Sequence, residues 1–169
     1  MKILFKLRTT RISAIYMQTK IINNRTFVLY DLDFSITNIE NTHLQYTGME
    51  QNLNSYGKGP FCKFTVNANG SVLSNKGCYV FLVDNIVKYV GKTTDSFVAR
   101  INNGYGNISP RNCYEGGQST NCKVNSNINK ALQNNKVVKI GFLVLNNDSE
   151  ISRTEEELIA AIKPEWNDR

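Results

Sequence analysis

Residues 77–91 read Gly77-Cys78-Tyr79-Val80-Phe81-Leu82-Val83-Asp84-Asn85-Ile86-Val87-Lys88-Tyr89-Val90-Gly91, and this stretch decides the fold. Cys78–Val83 is an apolar run and Ile86–Val90 is a second one. Asp84-Asn85 lies between them, and both residue types tolerate the positive φ that a two-residue hairpin turn demands. The stretch therefore predicts a β-hairpin.

Working outward, Thr93, Thr94 and Asp95 offer N-caps for a helix over about 96–102, with Phe97, Val98 and Ile101 on one face. Residues 102–121 are rich in Gly, Asn and Pro without periodicity, as functional loops often are. A second helix is expected over Lys123–Asn134, with Val124, Ile128, Ala131 and Leu132 as its apolar stripe. Val137–Leu145 is β-branched and largely apolar, as a central strand would be. The last helix is expected over Arg153–Ile162, stopping before Pro164. Upstream, Phe61–Val66 alternates as a half-buried strand does, followed by a turn over Asn67–Gly70. Asn38–Lys58 reads as loop-rich, and Lys2–Leu7 and Thr26–Leu32 read as strands.

The 169 residues carry 20 Lys+Arg against 14 Asp+Glu, a net charge of +6. The excess is uneven: +3 over residues 1–58, +7 over 59–147 and −4 over 148–169. A basic middle suggests a polyanionic partner, and it is equally what solubility requires. No apolar run approaches the roughly 20 residues a membrane span needs, so no membrane partner is expected. Cys62, Cys78, Cys113 and Cys122 form no CxxC pair and His43 is the only histidine, so no zinc site is expected. Met1–Leu7 is charged with a short apolar run, so no secretory leader is expected. Reduced thiols in the cytoplasm follow.

The hairpin carries Gly77-Cys78-Tyr79 on one strand and Tyr89-Val90-Gly91 on the other. Arg100 follows on the next helix, Glu155 with Leu158-Ile159 on a late helix, and Pro164 and Asn167 close the domain. In these elements, in this order, residues 61–169 resemble the GIY-YIG nuclease superfamily. The resemblance implies an α+β fold: a small, mostly antiparallel sheet flanked by helices. Residues 1–60 would add a β-containing N-terminal extension with an accessory role in recognition or dimerisation. Residues 104–113 and 116–122, which contain Arg111 and the run Gln118-Ser119-Thr120-Asn121, resemble a loop of the restriction-type branch. They imply DNA contacts from those residues and from Lys123.

The residue types suit phosphodiester hydrolysis on their own terms. Arg100 offers a planar, permanent charge to phosphate oxygens. Glu155 offers a hard oxygen to one Mg²⁺, or to another divalent ion such as Mn²⁺. A tyrosine base needs a nearby cation to lower its pKa, and Lys92 follows the second motif directly. The resemblance implies Tyr79 as base or water orienter, Tyr89 at the phosphate or its waters, and Glu155 as metal ligand. Many members carry a histidine or tyrosine four residues after the arginine. Here that place is Gly104 with Tyr105 next, so either Tyr105 serves through a one-residue shift or the role is absent.

Each residue also has an ordinary reading. Tyr79 and Tyr89 suit a strand core, and Arg100 a solvated helix face. Ser152-Arg153-Thr154-Glu155 fits a capping box. Gln118–Asn121 fits a self-bonded loop, and Asn167 a structural hydrogen-bonding residue. The combined expectation is a Mg²⁺-dependent endonuclease of type II restriction character, acting on double-stranded DNA as a homodimer. A phage, mobile-element or repair nuclease and a non-catalytic DNA-binding module are the alternatives.

Overall fold

The computed structural model describes residues 17–45 and 52–168. The strand expected over Lys2–Leu7 lies outside them. The hairpin forms as the sequence demands. Strand β4 spans Gly77–Val83 and β5 spans Ile86–Thr93, with Asp84 at φ 47° and Asn85 at φ 65°. Four further strands complete the sheet: β1 Thr19–Ile22, β2 Arg25–Ile39, β3 Phe61–Val66 and β6 Val138–Val144. Their order is β1-β2-β6-β4-β5, with β3 on the far half of β2, and every pairing is antiparallel. With its flanking helices this is an α+β fold.

β2 runs well past the expected Leu32. Its second half alternates Asp31-Leu32-Asp33-Phe34, the pattern of a strand buried on one face only. It pairs with β6 through Val28–Asp31 and with β3 from Leu32 onward, so residues on both sides of position 60 share one sheet.

Both faces of the sheet are covered, which is why all seven residues of β4 are buried. Helix α3, Asp148–Ile162, packs Ile151 and Leu158 on Cys78, Val80, Leu82 and Val90. The opposite face packs Phe81, Ile140 and Phe142 against Phe97, Ile101, Val124 and Ile128. These last four come from a π-helix, Val98–Tyr105, with its preceding residue, and from helix α2, Ser119–Gln133. Phe97 stacks on Phe142 with centroids 4.2 Å apart.

Three helix boundaries differ from expectation for local reasons. α3 starts five residues before Arg153 because Asn147 caps it, accepting from the Glu150 amide at 3.1 Å. Ser152 and Glu155 are therefore interior helical residues, and the capping box does not form. The π-helix replaces the α-helix expected over 96–102, and the side chain that accepts from its first turn is Ser96. α2 begins at Ser119 instead of Lys123, although Asn and Cys are indifferent helix formers. Tertiary bonds compensate. Asn125 accepts from the Cys62 amide at 2.8 Å and donates to the carbonyls of Cys62 and Tyr105. Asn129 accepts from the Asn38 amide at 3.0 Å. The turn expected over Asn67–Gly70 leads into α1, a four-residue helix over Gly70–Leu73.

The chain after α3 turns back along β5. The Trp166 amide donates to the Lys88 carbonyl at 2.8 Å, and Asn167 bonds both backbone groups of Val90. Among the described residues, no helix is long and apolar enough to cross a membrane.

Candidate active site

Tyr79 on β4 and Tyr89 on β5 point to the same face because Tyr79 pairs with Gly91 and Phe81 with Tyr89. Two glycines make that possible. A Cβ on Gly91 would lie 2.5 Å from Tyr79 Oη and 2.6 Å from Cζ, so the phenol lies directly across β5. Gly77 has φ +146° and would drive a Cβ to 2.1 Å from the Leu143 carbonyl oxygen.

The π-helix brings Arg100 and Tyr105 to these phenols. Residues five apart diverge by about 140° on an α-helix, but winding by i→i+5 bonds returns them to one side. The Gly106 amide donates to the Ile101 carbonyl at 2.7 Å in that register. Arg100 Nε donates to Tyr79 Oη at 3.1 Å and Nη2 donates to Tyr105 Oη at 2.8 Å. Tyr79 and Tyr105 hydroxyls lie 3.0 Å apart, and Tyr105 donates to Tyr89 Oη at 3.1 Å. Tyr105, and not Gly104, is therefore the residue after Arg100 whose side chain joins the two motif tyrosines.

Burial raises the pKa of Tyr79, Tyr89 and Tyr105, and the lowering effect of Arg100 on Tyr79 does not overcome it. All three are therefore held as neutral phenols. Burial works against the charge on Arg100, but the surrounding phenols outweigh it and its pKa moves up. Arg100 has no carboxylate partner among the described residues. Its partners are Tyr79, Tyr105 and the side chain of Asn121, all neutral.

Lys92 does not face Tyr79. It pairs with Cys78, so it lies on the α3 face of β5, where Nζ meets Glu155 Oε2 at 2.9 Å. That contact is the main cause of the upward shift of Lys92. The cation beside Tyr79 is Arg100. Glu155 and the phenols therefore flank β5 from opposite faces, and the charge of Glu155 contributes to raising Tyr89.

The remaining expected residues divide. Asn167 uses its amide on Val90, accepting at 2.9 Å and donating at 2.8 Å, so it pins the chain to β5. Ser119 and Thr120 are not in a loop but form the first turn of α2, and Gln118 is the loop residue immediately before it. Asn121 is buried and faces inward to Arg100, which removes it from a DNA-reading surface. Lys123 is buried, paired with Asp168 and set over the Tyr56 ring at 5.7 Å. Arg111 is exposed on a short turn of 3-10 helix, Pro110–Cys113. All four cysteines are buried free thiols.

The charge balance takes a specific form. Asp148, Glu155, Glu165 and Asp168 of the acidic tail pair with Lys76, Lys92, Lys88 and Lys123 of the basic middle. The Lys76–Asp148 and Lys88–Glu165 pairs, whose carboxylates are exposed, contribute little stability, and together the four pairs cancel much of the field that sequence arithmetic assigns to the middle. Among the described residues no group of three or more His, Cys, Asp or Glu gathers to hold a metal. Glu155 is a single carboxylate. It suits a Mg²⁺ that keeps most of its waters and takes phosphate oxygens, not an all-protein cage.

No protein-family model, no curated protein and no solved structure matches the chain.

Proposed function

We infer that the chain is a divalent-metal-dependent endonuclease cutting double-stranded DNA, with type II restriction as the leading form. One observation carries the reading: a half-buried guanidinium whose partners are all neutral. A desolvated charge without a counter-ion favours an anionic ligand. Arg100 uses one N–H on each nitrogen internally, leaving one on each terminal nitrogen for a phosphate.

In this reading Arg100 takes non-bridging phosphate oxygens and offsets the charge that grows during attack. The hydroxyls of Tyr79, Tyr89 and Tyr105 form one proton-sharing chain that orients the attacking water and the phosphate. Glu155 would hold the metal, Mg²⁺ or Mn²⁺, which would supply Lewis acidity to the phosphodiester. Lys92, 2.9 Å from Glu155 Oε2, fixes the direction of that carboxylate. A palindromic site cut on both strands calls for a homodimer, and host protection from such an enzyme places it in the cytoplasm.

The test is incubation of the purified chain with plasmid DNA and Mg²⁺. Discrete fragments are expected, and their loss in Glu155→Gln at unchanged melting temperature. A smear or structure-dependent nicking would favour a mobile-element or repair role. Full cleavage by Arg100→Leu would overturn the site.

A further inference from the structure

Arg100 is gripped by one residue outside the tyrosine chain. Asn121, 1% exposed in the first turn of α2, accepts from Arg100 Nη1 at 3.3 Å. Its Nδ2 donates to Gln118 Oε1 at 2.7 Å. A side-chain amide has one accepting and one donating end, and a guanidinium only donates. Were the Asn121 amide reversed, its NH₂ would face the guanidinium. The Gln118 carbonyl prevents this by taking the donating end.

Two further observations give this pair a purpose. Gln118 stands immediately before α2, yet its side chain makes no capping bond and reaches Asn121 instead. A Cβ on Gly104 would make ordinary contact, 3.5 Å, with Asn121 Nδ2, so the amide packs against the π-helix that carries Arg100. Arg100 is then held at Nε by Tyr79, at Nη2 by Tyr105 and at Nη1 by Asn121. Without the third anchor the guanidinium is held along one edge only and pivots about it.

Resting on the nuclease reading above, we propose that Asn121 is a positioning residue that fixes the plane of the Arg100 guanidinium for the phosphate, and that the exposed Gln118 sets the orientation of Asn121. The grip itself is independent of the substrate, so two readouts separate the claims. The first is the ¹⁵N–¹H spectrum of the arginine side chains. Hindered rotation should give Arg100 resolved Nη signals in the wild type, averaged in Asn121→Leu and in Gln118→Ala. The second is plasmid cleavage. Because misplacement by about 1 Å costs up to about 100-fold, Asn121→Leu should lower kcat about 10- to 100-fold with KM for DNA within about threefold. Gln118→Ala should lower kcat in the same direction by a smaller factor, at unchanged melting temperature. Asn121→Asp keeps the acceptor and should keep the Arg100 signals resolved. If Asn121→Leu does not fold, Gln118→Ala carries the test. Arg100 signals unchanged by either substitution, or averaged signals with an unchanged kcat, would overturn the proposal. A wild-type chain inert on all DNA would sink the nuclease reading alone, and the arginine signals would still decide the grip.

Discussion

Replacing Gly91 by alanine tests the arrangement on which the tyrosine cluster depends. The added Cβ would stand 2.5 Å from Tyr79 Oη, 2.6 Å from Cζ and 2.7 Å from Cε2. The Gly91 backbone is not left-handed, so the cost is steric. Relief requires the phenol to move by roughly 1 Å, and it has nowhere to go. Tyr79 is fully buried, with the rings of Phe81, Tyr89 and Tyr105 centred 6.0–6.3 Å away. Overpacking of this kind costs about 1–3 kcal/mol. Moving the hydroxyl also loosens the bond from Arg100, and a bond to a charged group is worth about 1.5–3 kcal/mol. The two losses overlap, so about 2–4 kcal/mol is expected. In a chain of this size that lowers the melting temperature by roughly 5–15 °C. Urea unfolding of Gly91→Ala in the wild-type and Tyr79→Leu backgrounds measures the coupling directly. With the ring gone, Gly91→Ala should be close to neutral. A cost below about 0.5 kcal/mol in the wild type, or an equal cost in both backgrounds, would refute the reasoning.

Three other outcomes are expected. Burial raises Tyr79, Tyr89 and Tyr105, so folding binds their protons more tightly than the unfolded chain does. Their contribution is complete below about pH 10 and is lost above it by up to about 1.4 kcal/mol per pH unit for each tyrosine. Urea unfolding from pH 8 to 11 should show this fall, with a shallower slope in Tyr89→Phe, and identical slopes would contradict the buried cluster. Asn167→Ala removes two bonds to Val90 and should cost about 1–3 kcal/mol while sparing kcat; a rate loss at unchanged stability would return Asn167 to a catalytic role. Asn125→Leu strands the Cys62 amide and the Tyr105 carbonyl in a fully buried site. A loss of about 3–5 kcal/mol is expected by equilibrium unfolding, and a near-neutral result would mean those groups find other partners.

The hairpin was legible because strong strand formers flank a turn that only a few residue types fill. β6 and β3 were legible for similar reasons of composition and alternation. The π-helix was not, since i→i+5 winding has no signature in a search for a 3.6-residue period. The start of α3 was hidden because its cap, Asn147, sits in a polar run that also reads as loop. Within the site, Tyr79, Tyr89, Arg100 and Tyr105 were candidates from the motif, and the structure brings them together. Strand parity already contained the placement of Lys92: it is three residues from Tyr89, so the two cannot share a face. Asn121, Asn125 and Asn129 recur every four residues, which was visible as a stripe. Nothing in the sequence distinguishes a stripe that bonds inward from one that faces water, and so the residue type alone points Asn121 toward DNA.

The chain that turns back beside β5 has a consequence for how copies of the protein can meet. β5 is the last strand of its side of the sheet, and an uncovered outer strand invites a second chain to add to it. Trp166 and Asn167 occupy the Lys88 and Val90 backbone groups that such an addition would use. Sheet-to-sheet growth through the strand that carries Tyr89 is thereby blocked at Lys88 and Val90, and the homodimer proposed above would use another surface. Proteolytic trimming past Trp166 would expose this edge to self-association beside an otherwise intact tyrosine cluster.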